Sequence, residues 1–257
     1  MRNFYTKIIA RNGILPYLCG VIFTQCFMEE LEYHYKYPHP SVTTDCVIFG
    51  FDGTQLNVLL IERGIEPYKG CWALPGGFVR MNESADVCAK RELWEETGIK
   101  TASLRQFHTF SAPDRDPRER VITIAYYALV RLSEVRGGDD AAKAQWFPID
   151  QVPRLAFDHD LILHYAKKAL QRDIYFEPVG FELLQETFTM TQLQHLYEAI
   201  LGVKFDRRNF YKKMLREKLL TEHDAAEEPT SRRNAILYSF NPEGYDLFKK
   251  KGFKTEF

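Results

Sequence analysis

Three glutamates crowd the end of one helical pattern, and that crowding constrains the chain more than any other feature. The stretch GGFVRMNESADVCAKRELWEETGI, Gly76 to Ile99, reads as a short amphipathic helix. At about 100° per residue, Glu92 and Glu96 lie about 40° apart on the wheel, and Glu95 lies about 60° from Glu92. Ala85, Cys88 and Ala89 share that face, so it lies against something rather than in open solvent. Like charges at i, i+4 destabilise a helix, and acids sit poorly at its negative C-terminal end. Desolvated charges without partners are costly. A hard divalent cation reverses these penalties, because Mg2+ takes a few carboxylates together with waters and substrate phosphate. The pattern therefore points to a metal site for a phosphate-bearing ligand. For the three glutamates alone, a solvated acidic face is the simpler reading.

Strand signals flank this helix. VTTDCVIFGF and LNVLLIER bracket DGTQ, a hairpin pattern. VITIAYYALV, Val121 to Val130, has the length and β-branching of a buried strand, and AQWFPI is another, ended by Pro148. LILHYAKKALQRD is a helix with Leu161, Tyr165 and Ala169 on one stripe. IYFEPVG then reads as a boundary linker. This half is a mixed α+β domain.

After Gly180 the texture changes. In FTMTQLQHLYEAILG, Thr189 and Gln192 have capping-box spacing. Leu193, Leu196, Tyr197, Ile200 and Leu201 form the apolar stripe, and Gly202 stops the helix. Asp206 is a good N-cap for a second helix, RRNFYKKMLREKLL. A polar segment between LLTE and AILYSF predicts a β-ribbon with a long tip, and a lysine-rich tail follows. The expected division is an N-terminal extension over 1–40, a first domain over 41–175 and a second over 176–257.

Lys plus Arg number 34 and Asp plus Glu 35, so any phosphate or nucleic-acid site must come from local clustering. The five cysteines are scattered and lack a C-x-x-C pair, the pattern of reduced thiols in a cytoplasmic protein. GILPYLCGVIFTQCF resembles a signal-peptide core, but it is too short for a comfortable membrane span and no small-x-small cleavage site follows. MEELEYHYKYPHP begins at Met28 like an ordinary start. The expectation is that residues 1–27 lie upstream of the true start, with a signal or anchor as the alternative, and that no membrane is a partner.

Gly77, Glu83, Arg91, Glu92, Leu93, Glu95, Glu96, Gly98 and Ile99 resemble, at every position, the Nudix box G-x5-E-x7-R-E-U-x-E-E-x-G-U, where U is apolar. The flanking strands fit that family's α/β/α sandwich. The resemblance implies hydrolysis of a nucleoside diphosphate linked to another moiety. Glu92, Glu95 and Glu96 would hold Mg2+ or Mn2+, Arg91 would orient a glutamate, and Gly77 and Gly98 would permit the turns at either end. The general base stays open between Glu92 and an acid of the loop SAPDRDPRERV, namely Asp114, Asp116 or Glu119.

In that loop Arg115, Arg118 and Arg120 alternate with acids. Arginine forks suit phosphate groups; a self-paired surface loop is the competing reading. DRDPR-x-R followed by ITIAYYAL, with ERGIEPYKGCWALPGGF upstream, resembles the ADP-ribose-handling branch of the family. The expected ligand set is Gly77, Arg115, Asp116, Arg118 and Arg120.

Arg208, Lys212 and Arg216 fall at i, i+4, i+8, bordered by Asn209 and Lys213, while Phe210 and Met214 can pack inward. That is the layout of a DNA recognition helix, with one amide for base edges. A solvated amphipathic helix is the alternative. Arg207 extends the basic face, and Arg232 and Arg233 would lie in a wing. GFELLQETFTMTQLQHLYEAILGVKFDRRNFYKKM, together with LAFDHDLIL, is similar to the winged helix-turn-helix half of the Nudix-related transcriptional regulators. That resemblance implies a homodimer on a double-stranded DNA operator, with the Nudix domain sensing ADP-ribose or, in some branches, sugars. Many such regulators have eroded boxes and this one is intact. A dedicated pyrophosphohydrolase with a non-DNA-binding C-terminal module therefore stands beside the regulator reading, as does a sugar-responsive repressor.

Overall fold

The computed structural model describes residues 35–100, 103–132, 141–177, 179–216, 218–223 and 236–250. The apolar run CVIF in the first strand is explained by a sheet covered on both faces. Strands β1 (Ser41–Phe51) and β2 (Leu56–Arg63) pair antiparallel, with Phe51 opposite Leu56. Asp52 Oδ1 closes the turn by accepting from the amides of Thr54 and Gln55, each at 2.9 Å. Short strands β3 (Trp72–Ala73) and β4 (Gly76–Phe78) pair with β2 and β1 respectively. At the edge, β5 (Arg105–Phe110) lies antiparallel to β6 (Val121–Leu129), which runs parallel to β1. Strand β7 (Ala141–Pro148) pairs with β2 and completes a mixed seven-stranded sheet.

Side chains alternate between the two faces with the period of a strand. Cys46, Ile48, Leu59, Tyr126 and Ala128 pack with Ala89 and Leu93 of helix α1 (Ala85–Thr97). Val47, Phe49, Val58, Leu60, Tyr127 and Leu129 belong to the opposite core, with helix α2 (His159–Asp173). The expected helix over Gly77–Gly98 is therefore shorter. Its first residues form β4, and helix begins only after Ser84, whose hydroxyl accepts from Val87 N. It ends at Gly98, at φ 77°, where a left-handed residue is needed. The buried face of α2 also differs from the expected stripe. Ile162, Ala166, Ala169 and Leu170 are buried, whereas Leu161 and Tyr165 are exposed. The i, i+4, i+7, i+8 set is simply the wider apolar stripe.

The C-terminal half comprises β8 (Phe188–Thr189), α3 (Met190–Leu201), α4 (Arg207–Arg216), β9 (Leu220–His223), β10 (Leu237–Phe240) and α5 (Pro242–Lys250). Strand β10 lies between β8 and β9. The Thr189–Gln192 capping box forms as expected, and Gly202 ends α3 at φ 71°. Helix α4 stops at Arg216, earlier than expected, because Leu220 already belongs to the ribbon. Part of the expected lysine-rich tail is helical, with Asn241 Oδ1 accepting from Gly244 N. Residues 1–27 and the ribbon tip with Arg232 and Arg233 lie outside the described residues.

The expected linker is packed rather than free. Ile174 and Val179 are buried in the core that also takes in Leu193, Leu196, Tyr197 and Ile200 of α3. Each such aliphatic side chain contributes about 1.5–3 kcal/mol on burial. Polar fastenings add to it. Gln171 Nε2 donates to Ile200 O at 2.9 Å, Tyr127 Oη to Asp173 Oδ2 at 2.6 Å and Arg131 Nε to Leu184 O at 2.8 Å, and Arg105 pairs with Glu177. No helix among the described residues is long and apolar enough to cross a membrane.

Candidate functional site

A cavity of about 330 Å3 opens between α1, the start of β1, the end of β2 and the residues leading into α2. Its charged lining comprises Asp45, Arg63, Arg80, Glu92, Glu96, Arg115, Asp116 and Arg118, and Gly76, Gly77, Phe78, Phe157 and His159 complete its sides. The cavity faces the buried side of α1. Cys88, Ala89 and Glu96 are buried there, so the small residues noted in the sequence let the helix approach the sheet.

Arg91 organises the carboxylates. Its Nε donates to Glu83 Oε2 at 3.0 Å and its Nη2 to Glu83 Oε1 at 2.5 Å. Its Nη1 donates to Glu92 Oε1 at 2.6 Å and Glu95 Oε2 at 3.0 Å. The Arg91 fork holds the Glu83 carboxyl down at about 2. Burial pushes Glu92 up despite that pairing. Glu96 Oε2 accepts from Gly76 N at 2.8 Å. Gly77 is needed for space: a Cβ there would lie 2.5 Å from Glu92 Cδ.

Glu92 and Glu96 thus line the cavity, whereas Glu95 is turned to Arg91 and is not part of the lining. Among the described residues no three acidic, histidine or cysteine side chains are already gathered at metal-ligand spacing. The donor set nevertheless suits a hard cation. It consists of oxygens, and burial disfavours the charge on Glu92, which a divalent ion would stabilise.

The arginine loop is largely self-paired. Arg115 is buried and grips Asp158 with both arms, Nε to Oδ2 at 3.0 Å and Nη2 to Oδ1 at 2.7 Å, and reaches Asp45 Oδ2 at 3.4 Å. Arg118 forks onto Asp116 at 3.0 and 2.7 Å. Both arginines line the cavity, but with engaged forks. Arg120 does not line it; its Nη1 donates to Ala112 O at 3.1 Å. Of the loop acids weighed as a base, Asp114 is exposed, Asp116 is held by Arg118, and Glu119 accepts from Ser41 Oγ at 2.8 Å.

Sequence reasoning missed Asp45, Arg63, Phe157, Asp158 and His159. His159 is buried; its Nδ1 accepts from Leu74 N at 2.9 Å and its Nε2 lies 3.5 Å from Asp45 Oδ1. Burial lowers its pKa, against the opposing pull of Asp45. The signal for Phe157, Asp158 and His159 was FDHD, two acids flanking a histidine ahead of an apolar helix, whereas Asp45 and Arg63 sit in ordinary strand patterns.

In the C-terminal half, Phe210 and Met214 bury one side of α4, with Phe210 edge-on to Tyr197 at 5.7 Å. Arg207, Arg208, Asn209, Lys212 and Arg216 are exposed, and Lys213 is half-buried. Asp206 Oδ1 caps the helix through Asn209 N at 2.9 Å. The preceding turn is fixed by Glu198, which accepts from Lys204 Nζ at 2.7 Å, Gln194 Nε2 at 2.9 Å and Phe205 N at 3.0 Å.

Comparison with known proteins agrees with both halves. Residues 39–166 match the NUDIX domain, and residues 180–240 match the NrtR DNA-binding winged helix domain. The ADPR responsive transcriptional repressor NtrR of Acinetobacter baylyi is 34% identical over 82% of this chain and 86% of its own. The crystal structure of Shewanella oneidensis NrtR complexed with a 27mer DNA superposes with a TM-score of 0.66 at 29% identity, covering 80% of this chain and 95% of that one. The ADP-ribose pyrophosphatase of Methanocaldococcus jannaschii is 40% identical over 52% of this chain and 78% of its own, over 135 residues. With an acid-lined Nudix cavity and a capped basic helix packed into one core, the chain belongs to the NrtR-type regulators, in which a Nudix domain precedes a winged-helix DNA-binding domain.

Proposed function

We propose that the protein is a cytoplasmic transcriptional regulator that binds ADP-ribose or a related nucleoside diphosphate derivative in the Nudix cavity. It binds double-stranded operator DNA as a homodimer through α4. The observation that carries this reading is the shared core: helix α2 starts at the cavity with His159 and ends against α3, whose turn positions the basic helix. The exposed Arg207, Arg208, Lys212 and Arg216 suit phosphate contacts, and Asn209 suits a base edge. Arg232 and Arg233 are proposed as further DNA phosphate contacts.

The cavity also supports pyrophosphohydrolysis. Glu92 and Glu96, with Glu95 in the same network, would hold Mg2+ or Mn2+, which when bound supplies Lewis acidity and lowers the pKa of a water. Arg91 fixes the carboxylates before any ligand arrives. Glu92 is the base best supported, since it lines the cavity, Asp114 and Glu119 do not, and both oxygens of Asp116 are taken by Arg118. Gly77 leaves room for the Glu92 carboxyl. The identity to the Methanocaldococcus pyrophosphatase, over 135 residues, supports hydrolysis as an activity of the Nudix half.

Two assays test these readings. Fluorescence anisotropy with DNA from the protein's own upstream region should show binding that weakens steeply with salt and responds to ADP-ribose. No binding at low salt to any neighbouring promoter would refute the regulator. Mg2+-dependent release of AMP from ADP-ribose should vanish in Glu96→Gln; unchanged turnover would show that the carboxylates are misassigned.

A further inference from the structure

One buried donor in the cavity has no acceptor. Arg63 Nη2 is shielded from solvent and makes no hydrogen bond. The rest of the guanidinium is fixed, with Nε donating to Pro67 O at 2.8 Å and its centre 4.8 Å from the Phe157 ring. Acids share the cavity but are engaged: Arg118 takes both oxygens of Asp116, while Arg115 and His159 face Asp45. A buried charged donor left unmet is costly, and native structures keep few of them.

A second observation points the same way. Arg118 lies 5.4 Å from the same Phe157 ring, so two guanidinium groups share one aromatic platform. The Arg118 charge makes the charge on Arg63 costlier, and an anion bound in the cavity that both line would offset that cost. Phe157 itself is held at φ 53°, a left-handed conformation that strains a residue with a Cβ. Tyr68 packs on it edge-on at 4.8 Å. The packing thus holds a strained ring in place against two cations.

We propose that Arg63, not the arginines of the 115–120 loop, is the direct ligand of the diphosphate, with Phe157 as the plate that sets its fork. The inference rests on the reading of the cavity as a nucleoside diphosphate site. Calorimetry of the full chain with ADP-ribose tests it. Arg63→Gln is expected to weaken ADP-ribose binding by about tenfold or more, the scale of a charge-assisted hydrogen bond. The unliganded melting midpoint should fall by no more than about 5 °C, because only the Nε bond to Pro67 O and the Phe157 contact are lost while Nη2 is unmet in the free protein. Arg63→Lys keeps the charge and loses the fork, so its affinity should fall by about threefold or more; it decides the matter if the glutamine variant does not fold. ADP-ribose affinity equal to wild type in Arg63→Lys and in any folded Arg63→Gln overturns the proposal. No uptake by the wild-type chain overturns instead the functional reading beneath it, and the proposal with it.

Discussion

Gly77→Ala is the sharpest test of how the carboxylate helix is built. Gly77 is outside the set of glycines with positive φ, so alanine is allowed by the backbone and the conflict is purely one of space. The added Cβ would sit 2.5 Å from Glu92 Cδ and Oε1 and 2.8 Å from Oε2. Glu92 must swing away, because Gly77 belongs to β4, which is paired to β1 at Thr44. Moving the carboxyl breaks its 2.6 Å bond from Arg91 Nη1. A charge-assisted bond of that kind contributes about 1.5–3 kcal/mol, and partial re-solvation of Glu92 returns some of it, so the expected loss of stability is about 2 kcal/mol. Because one of the two cavity-lining glutamates of α1 is displaced, Mg2+-dependent ADP-ribose uptake should fall about 10–100-fold. Urea unfolding measures the first quantity and calorimetry the second. Gly98→Ala is the control: at φ 77° and with nothing within 4 Å, it should cost about 1 kcal/mol from strain and leave uptake unchanged. If Gly77→Ala matches wild type within about 0.5 kcal/mol and in affinity, Glu92 is not held where the geometry places it.

Three further expectations follow from other parts of the chain. Burial holds His159 below its ordinary value, so the folded state resists protonation and stability falls as pH drops below about 6.5; melting curves between pH 7.5 and 5 should show a slope that Leu at position 159 flattens. Glu198 is depressed to about 2 by Lys204, Phe205 N and Gln194 working against burial, so its contribution is present above about 4.5 and is lost as pH falls towards 2. Glu198→Gln should cost about 2 kcal/mol at pH 7 in urea unfolding and lessen that acid sensitivity. Arg208→Ala should weaken operator binding evenly across sequences and reduce the salt slope by about one unit, with ADP-ribose hydrolysis unaltered.

What could be read from the sequence depended on whether a signal was local. The β1–β2 hairpin, the Thr189–Gln192 box and the Gly98 and Gly202 stops are each written in a few adjacent residues and appear where expected. Edge strand β5 was not legible, because RQFHTF is polar and its pairing with β6 is what makes it a strand. The C-terminal α5 was masked in the same way by a lysine-rich composition. For the site, spacing singled out Glu92, Glu95 and Glu96, and the resemblance to the Nudix box added Glu83 and Arg91, but neither gave the geometry. In the 115–120 loop, composition shows three cations and says nothing of which are already paired. Arg115 finds Asp158, which is 43 residues away, and no sequence pattern links the two.

The pairing of Arg115 with Asp158 also bears on how the two halves of the molecule act on each other. Asp158 is the residue before α2, and Arg115 ties it to Asp45 on β1, beside His159 and beneath the cavity. From there α2 runs through Ile162, Ala166 and Leu170, all fully buried, to Gln171 and its bond to Ile200 O. Close-packed interiors deform little, so a displacement at one end of such a helix is carried to the other rather than absorbed. A ligand shifts a conformational balance only by its differential affinity for the two states. Here His159 lines the cavity and opens α2, and Asp158 just before it is held by Arg115, so the start of α2 lies beside the groups that would meet a ligand. A ligand that changes how Asp158 and His159 are held is therefore expected to alter hydrogen exchange in α3 and the basic helix that follows it, and identical exchange with and without ADP-ribose would refute the coupling.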